Sequence, residues 1–378
     1  MRIIIAPDSF KGSLSAEKVA NAIEAGIRSA EPGIEAIKIP MADGGEGTVD
    51  ALVSSTGGII VHTKATDPLG REIKGRYGIL GDEKTAVIEM AAVSGLPLVP
   101  PRLRNPLDTT TFGTGELINH ALDLGCRKFI IGIGGSATND AGTGMAQALG
   151  VIFRRADGSI IDENMRGGLL KEVASIDMTR MHAQINKCDI TAACDVDNPL
   201  LGERGCAHIY SPQKGATPEI VEILEDSMKK FANVLERDTN RHVRNFPGSG
   251  AAGGLGAGLM AFLNAKLHPG IDLVLKAAQF EKRIVGAHLI LTGEGKLDEQ
   301  TVNGKTIAGI TAAAKKYSIP VVAIVGKYID SPKLLEMGLT SYFSICDGPN
   351  TLEYAMKNAD LLIESLAKRL TRLLACNQ

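Results

Sequence analysis

The chain is poor in aromatic residues: its 378 residues include no tryptophan, six tyrosines and nine phenylalanines. So few rings leave little material for the stacking platforms on which proteins bind single-stranded nucleic acid. The net charge also argues against nucleic-acid binding. The 41 basic residues nearly balance 43 acidic ones, whereas nucleic-acid-binding proteins usually carry a basic excess. We therefore expect no nucleic-acid partner.

Long apolar runs and paired cysteines are also missing. No stretch approaches the ~18 apolar residues of a membrane span. Residues 3–5 predict a core strand directly after the N terminus, where a secretory signal would have its apolar region. The six cysteines form neither a C-x-x-C pair nor a zinc-binding spacing, which indicates reduced thiols. We expect a cytoplasmic protein without membrane contact.

Several catalytic motifs are absent as well. There is no His pair with metal-ligand spacing and no G-x-S-x-G elbow, so serine-hydrolase chemistry lacks support. Residues 303–306 supply only the second half of a Walker A loop, with Glu299 at the position of its first glycine. Lys305 is either a phosphate contact or a solvated surface lysine.

The order of predicted elements indicates an α/β fold. Strand–loop–helix units occur at both ends of the chain, which predicts a parallel sheet with right-handed crossovers. Residues 59–90 instead alternate as short strands without a helix, which is typical of a mixed sheet. We predict a discontinuous Rossmann-like, doubly wound parallel-sheet domain, residues 1–58 and 285–378, with a mixed α/β domain, 59–284, inserted. The glycine-dense stretch 248–258 is expected to be a loop, and 351–374 one long helix.

Five polar loops follow predicted strands, at the position where open parallel sheets bind ligands. They share glycine, an acidic residue, and a lysine or hydroxyl. Each one alone is also explained as an ordinary turn, since Gly, Asp and Asn are common turn residues. Five at strand ends together favour a binding site. The loops are residues 7–13, 42–47, 134–140, 194–199 and 293–301.

The third loop predicts a phosphate site, because a glycine-rich strand-to-helix turn aims backbone N–H groups at an anion. The alternative is a tight helix-capping turn. The residues expected to hold ATP phosphates are Gly134, Gly135, Ser136, Thr138 and Asn139.

The same segment also fits the G-x-G-x-x-A dinucleotide fingerprint at Gly132, Gly134 and Ala137, with Asp157 twenty residues beyond Ala137. An NAD-dependent dehydrogenase is therefore the second functional hypothesis. Against it, residues 153–159 resemble a hairpin tip, whereas the fingerprint requires a βαβ unit.

Carboxylates, isolated lysines and glycine-rich loops together are typical of phosphoryl transfer, which needs positioning and charge neutralisation. Mg²⁺ is the metal expected, because it binds a few carboxylates together with substrate phosphates. A loop-capping role is the alternative for each candidate. The candidates are Asp43, Glu46, Asp195, Asp197 and Glu294.

Taken together, the loops resemble the bacterial glycerate kinase family. Two positions depart from the family's pattern: Ala141, where glycine is expected, and Ile307, where proline is expected. The resemblance implies ATP and Mg²⁺, D-glycerate as acceptor, 2-phosphoglycerate as product, and a two-domain α/β molecule with its active site in the cleft. The matching stretches, in the family's order, are residues 6–13, 42–48, 67–71, 112–118, 132–140, 193–200, 212–216, 250–258 and 292–301.

The role of each candidate residue in this reaction is inferred from the chemistry of its side chain. The glycerate carboxylate needs a cation, for which Lys11 and Arg71 are the candidates. Asp8, Asp43 and Arg71 are expected to bind the substrate, and Glu294 to bind the nucleotide. The catalytic residues are expected to be Asp195, Lys11 and Lys296.

Asp195 is expected closest to the reaction, as general base or Mg²⁺ ligand. It follows the apolar run 190–193, and Asp197 projects to the same side of an extended segment. Two carboxylates there repel each other unless a cation lies between them, so both are predicted Mg²⁺ ligands. The alternative is an Asx-type turn at 197–199. Which glycerate hydroxyl reacts, and whether the chain forms a homodimer, stay open.

Overall fold

The computed structural model describes residues 1–299, 301 and 306–376, and the chain divides into two compact units. The terminal unit comprises Met1–Asp43, Asp50–Gly57 and the chain from Gly270 onward. The inner unit comprises Gly44–Val49 and Gly58–Pro269.

The described residues form strands and helices in alternation over most of the chain. Among these residues no helix has the length and apolar composition needed to cross a bilayer. The strands are β1 (Arg2–Pro7), β2 (Glu35–Lys38), β3 (Ile59–Thr66), β4 (Glu72–Ile79), β5 (Thr85–Glu89), β6 (Lys128–Gly132), β7 (Ile152–Arg154), β8 (Ser175–Asp177), β9 (Asp189–Ala193), β10 (Lys266–His268), β11 (Leu289–Leu297), β12 (Val321–Tyr328) and β13 (Ser341–Ser344). The helices are α1 (Ala16–Ala30), α2 (Thr48–Thr56), α3 (Ala91–Ser94), α4 (Phe112–Asp123), α5 (Thr143–Ala148), α6 (Cys206–Tyr210), α7 (Pro218–Thr239), α8 (Ala251–Leu263), α9 (Gly270–Ala277), α10 (Phe280–Ile284), α11 (Thr306–Lys315), α12 (Pro332–Glu336), α13 (Leu352–Lys357) and α14 (Ala359–Ala375).

The terminal unit contains a five-stranded, wholly parallel sheet in the order β13-β12-β11-β1-β2. Counted within the unit this is the doubly wound order 2-1-3-4-5, which reverses between β1 and β11. Strand β1 is fully buried from Ile3 to Ala6, as expected of a central parallel strand covered on both faces. The prediction of a doubly wound parallel sheet is confirmed.

Close helix packing covers one face of this sheet. Helix α1 packs against α14, and a Cβ atom added at Gly26 would lie 2.4 Å from the carbonyl oxygen of Glu364.

Helices α9 and α10 contact α11 in the terminal unit. The sequence prediction had assigned their residues, 270–284, to the inserted domain.

The inner unit contains a mixed six-stranded sheet in the order β10-β9-β6-β5-β4-β3. Strands β5, β6, β9 and β10 are parallel, whereas β3, β4 and β5 pair antiparallel. A separate antiparallel pair, β7 and β8, lies outside this sheet. The prediction of a mixed α/β fold for this part of the chain is confirmed.

Three expectations of local structure were wrong. Residues 251–258 belong to helix α8 instead of forming a loop. At the beginning of this helix, Ala252, Gly253 and Gly254 have left-handed backbone conformations. Residues 293–297 continue β11, because β12 extends beside them and pairs with them. The final helix is interrupted at Asn358, whose side-chain Nδ2 donates to the Tyr354 carbonyl at 2.9 Å and whose backbone is non-helical.

Candidate active site

The carboxyl ends of β1 and β11 open into a cavity of about 830 Å³ within the terminal unit. Doubly wound sheets bind ligands at this kind of position, where the strand order reverses. The cavity extends along β12 and the end of β13 to helices α13 and α14. Five residues predicted from the sequence line it: Asp8, Lys11, Asp43, Glu294 and Lys296.

Asp8 is fixed at the end of β1. Its backbone N–H donates to the Gly293 carbonyl at 2.8 Å, and its Oδ2 accepts from Thr306 Oγ1 at 2.6 Å. Burial raises the pKa of Asp8; the Thr306 hydrogen bond opposes this increase and the neighbouring Asp43 adds to it. The carboxyl group therefore holds a proton more readily than an exposed aspartate does.

Lys11 supplies a cation opposite these carboxylates. Its Nζ lies 3.3 Å from Oδ2 of Asp43. Burial lowers the pKa of Lys11, but Asp43 and Asp8 outweigh burial, so that the pKa is raised overall. The ammonium group thus stays charged and is available as a point charge for an anionic ligand.

Strand β11 contributes alternating charges on one side. Glu294 Oε1 accepts from Thr301 Oγ1 at 2.7 Å, and Lys296 Nζ lies 2.7 Å from Asp298 Oδ2. Side chains two residues apart on a strand share a face, so this alternation could have pointed to Asp298, which the prediction missed. Lys327, also missed, lines the cavity because β12 pairs it with Lys296, a register that the sequence alone does not reveal.

The remaining predicted site residues lie in the inner unit, except Lys305, which lies outside the described residues. In the loop after β6, Gly134 and Gly135 are exposed, and Gly135 has a left-handed φ of 75°. Ser136 is buried, and the next amide, of Ala137, donates to the Ser94 carbonyl at 3.0 Å. Among the predicted phosphate-binding residues, the two glycines are therefore those that face solvent.

Thr138 and Asn139 belong instead to a buried polar cluster behind this loop. The Thr138 hydroxyl and both polar side-chain atoms of Asn139 are buried without a hydrogen-bond partner among the described residues. Lys214 Nζ donates to the Thr138 carbonyl at 2.5 Å, although Lys214 is only 1% exposed. Burial lowers the pKa of Lys214 to about 8, against the opposing effects of Cys206 and Asp140.

Asp140 completes this cluster and was also missed. Its carboxylate accepts from the Thr111 backbone N–H and hydroxyl, both at 2.8 Å, and from the amides of Gly142 and Gly144. Burial raises the pKa of Asp140, while these four donors act in the opposite direction. A single sequence carries no signal that Lys214 or Asp140 is interior, because both residue types are usually exposed.

Asp195 and Asp197 follow β9 and are both exposed. Asp197 Oδ1 accepts from Arg204 Nη2 at 2.9 Å, and Asn198 Nδ2 donates to the Arg204 carbonyl at 2.8 Å. These bonds hold the loop in place. Glu46, another candidate carboxylate, is exposed in the segment 44–49.

Arg71 is bound at a turn. Its Nε and Nη2 donate to Oδ2 of Asp67 at 2.7 and 2.5 Å, and the same aspartate accepts from the backbone N–H groups of Leu69 and Arg71. The guanidinium therefore already has one carboxylate partner, with about half of the side chain still exposed.

Carboxylates are the ligands that Mg²⁺ prefers. Among the described residues, however, no three His, Cys, Asp or Glu side chains are grouped so that they could hold a metal ion. Asp195 and Asp197, the predicted Mg²⁺ ligands, are both exposed, and Asp197 is paired with Arg204. The carboxylates of the terminal-unit cavity offer the same chemistry.

The dinucleotide fingerprint does not lead into a βαβ unit. After α5 the chain enters β7, which pairs antiparallel with β8 outside the main sheet. The backbone N–H of Arg155 donates to the Ser159 carbonyl at 2.9 Å, which closes the predicted hairpin tip. This geometry removes the structural support for NAD binding at Gly132, Gly134 and Ala137.

A doubly wound sheet with carboxylates and lysines at its switch point defines an α/β enzyme that binds a charged ligand. Residues 3–375 match the model of the glycerate kinase family. The chain belongs to the glycerate kinase family, and the resemblance stated from its sequence is confirmed.

Individual relatives are similar over nearly the whole chain. The glycerate kinase of Halalkalibacterium halodurans is 48% identical over 369 residues, 97% of each chain. The glycerate 2-kinase of Escherichia coli K12 is 46% identical over 360 residues, 95% of this chain and 94% of the relative. The crystal structure of a provisionally named glycerate kinase 2 from Salmonella typhimurium LT2 superposes with a TM-score of 0.92 at 47% identity, covering 100% of this chain and 99% of that one.

Proposed function

We propose that this protein phosphorylates D-glycerate with ATP, giving ADP and 2-phospho-D-glycerate. The observation that carries the proposal is the similarity to the E. coli glycerate 2-kinase along 95% of the chain. Its name specifies the oxygen at carbon two, whereas the names of the other relatives cited above do not. The lysines and carboxylates at the β1–β11 switch point support the handling of anionic substrates.

Residue roles within this reaction are proposals from chemistry. Gly134 and Gly135 offer exposed backbone to a phosphate, and Lys11 or Arg71 pairs with the glycerate carboxylate. Asp195 accepts the proton of the attacking hydroxyl or helps Asp197 to hold Mg²⁺. When bound, Mg²⁺ would neutralise charge on the phosphates. Lys296 neutralises charge on the transferred group.

An ADP-release assay over a panel of small hydroxy acids tests the substrate. Turnover with glycerate and ATP is expected, and phosphorus NMR of the product identifies the phosphorylated carbon. Activity with a different acid, and none with glycerate, would reassign the substrate. ATP-independent absorbance changes with NAD(H) would revive the dehydrogenase hypothesis.

A cytoplasmic location and a homodimer stay proposals. Size-exclusion chromatography with light scattering decides between monomer and dimer. Omitting Mg²⁺ from the assay, and then adding it back, tests the need for the metal.

A further inference from the structure

The terminal-unit cavity has two chemically different ends. One end lies at β1 and β11 and carries the charged side chains of Asp8, Lys11, Asp43 and Lys296. The other end lies between the end of β13 and helices α13 and α14, and its side chains are apolar: Ile345, Leu352, Ala355, Met356 and Ala359. The charged end carries side chains of both signs, since Glu294, Asp298 and Lys327 also line it. A ligand that fills the whole cavity must therefore combine a charged part with an apolar part.

Large apolar side chains at this cavity are exposed to solvent. Leu352 is 76% exposed, Met356 37% and Tyr328 43%. Apolar groups clustered around a concave surface mark a binding site, because covering them releases water. The ring of Tyr328 packs edge-to-face against Tyr342, with ring centroids 5.1 Å apart. This contact fixes the position of the Tyr328 ring in the cavity lining.

The apolar end is also anchored to the charged end. Ser13, in the loop after β1, donates from Oγ to the Met356 carbonyl at 2.6 Å. Thr351 caps α13 by accepting from the Tyr354 N–H at 3.2 Å. The helix that carries Leu352, Ala355 and Met356 is thereby fastened to the loop that carries Lys11.

Polar side chains near the apolar end already have partners. Ser344 Oγ donates to the Gly326 carbonyl at 3.1 Å, and Asn350 Nδ2 donates to Asp347 Oδ1 at 3.0 Å. The apolar end therefore binds a ligand mainly through apolar contact with its surface. A planar nucleobase has two flat faces that can make such contact. Glycerate, a three-carbon acid with oxygen on every carbon, would gain little there.

We infer that this cavity binds the adenosine part of ATP, with the base at the apolar end and the phosphate chain toward Lys296. The volume of about 830 Å³ lies within the range of pockets for drug-sized ligands and exceeds the needs of a three-carbon acid. The inference rests on the proposed function only in taking ATP as the phosphate donor.

Cys346 provides a direct probe, because it is exposed and lines the cavity. Cys376 is also exposed but does not line the cavity, so it serves as an internal control. The purified full chain is treated with a small alkylating reagent, and labelling of each cysteine is followed by peptide mass spectrometry. Adenosine and ADP should slow alkylation of Cys346 about tenfold at saturation and leave Cys376 unchanged. Glycerate alone should protect neither thiol.

A pair of leucine variants tests the same site through kinetics. Leu352→Asp places a charge at the apolar end, and Leu361→Asp places the same charge on an exposed position of α14 that does not line the cavity. Both side chains are exposed, so folding should be preserved in both variants. Leu352→Asp should raise the KM for ATP roughly tenfold, about 1.4 kcal/mol, and leave the KM for glycerate unchanged. Leu361→Asp should change neither.

The outcomes separate this inference from the proposed function. Protection of Cys346 by adenosine in a protein that does not phosphorylate glycerate would uphold the nucleoside site and refute the reaction. Glycerate kinase activity without protection by adenosine or ADP would overturn the nucleoside site. Protection by glycerate alone would reassign the cavity to the acid substrate.

Discussion

Replacing Lys214 by methionine measures the effect of burying an ammonium group behind the loop after β6. Burial lowers the pKa of Lys214 from 10.5 to about 8. One pKa unit corresponds to about 1.4 kcal/mol, so the difference between these two values amounts to about 3 kcal/mol of stability that the charged form removes at pH 7. Lys214→Met keeps the aliphatic chain and deletes the charge.

The pH dependence follows from which state holds more protons. Between pH 8 and pH 10.5 the unfolded chain keeps the proton of this lysine, whereas the folded protein releases it. The unfolded state then binds more protons, so the free energy of unfolding rises with pH across this window. It should rise by about 1 kcal/mol by pH 9 and by about 3 kcal/mol by pH 10.5, relative to pH 7. Lys214→Met lacks this rise.

At pH 7 the two proteins should be similar in stability. The variant escapes the cost of the buried charge, but it leaves the Thr138 carbonyl without the donor that Lys214 provides. Losing a partner for a buried polar group costs about 1–3 kcal/mol, which offsets most of the gain. At pH 10 the neutral lysine keeps that hydrogen bond without the charge penalty, so the variant should be the less stable protein.

Urea unfolding followed by far-ultraviolet circular dichroism at pH 7, 8, 9 and 10 measures the effect. The difference between the unaltered chain and the variant is the informative quantity, because groups remote from Lys214, such as Tyr77 with its raised pKa, contribute equally to both proteins. Lys230→Met, at an exposed position of α7, is the matched control and should give a constant difference. Parallel stability curves for the unaltered chain and Lys214→Met would refute the reasoning.

Substitutions at three places test the proposed roles: at Asp195, at Gly134, and at the two candidate cations Lys11 and Arg71. Asp195→Asn should lower kcat by roughly 100-fold or more if Asp195 is the general base, whereas a mere turn residue would leave kcat intact. Gly134→Val should raise the KM for ATP and leave that for glycerate unchanged, while Gly134→Ala, whose Cβ would meet nothing closer than 3.8 Å, should be mild. Lys11→Ala and Arg71→Ala are compared by their KM for glycerate in steady-state assays. The larger increase is expected for Lys11, because its ion pair with Asp43, at 3.3 Å, is looser than that of Arg71 with Asp67, at 2.5 Å. A variant whose KM for glycerate is unchanged would remove its residue from the site.

Much of the terminal unit was predictable because its elements follow local rules. Residues 3–5 form an apolar run of strand length, and the polar loop after them lies where ligands bind in parallel sheets. Asp8 and Glu294 each follow a parallel strand in the sequence, so this rule placed both at the same edge of the sheet. They do line one cavity, although they are far apart in the chain. Their individual roles are a separate question and stay proposals.

The errors have tertiary causes. The glycines at 253 and 254 predicted a loop, because glycine is common in loops. Here they allow α8 to approach the chain after β6, since a Cβ at Gly253 would lie 2.0 Å from the Thr138 carbonyl oxygen. Lys214 reads as a surface charge, and only packing shows that it is interior. The apolar end of the cavity was missed because the side chains that form it look like ordinary core residues of a C-terminal helix.

The pairing of β1 with β11 bears on the order in which a nascent chain can fold. Ile3 is paired with Leu289, so the first strand has no such neighbour until almost 290 residues have left the ribosome. The six-stranded sheet of the inner unit needs no residue beyond His268. Contacts between distant parts of a chain form late, and domains generally fold as units during synthesis. The inner unit should thus fold first, while the edge of β1 that β11 later covers stays unpaired and prone to aggregation until the C-terminal strands emerge.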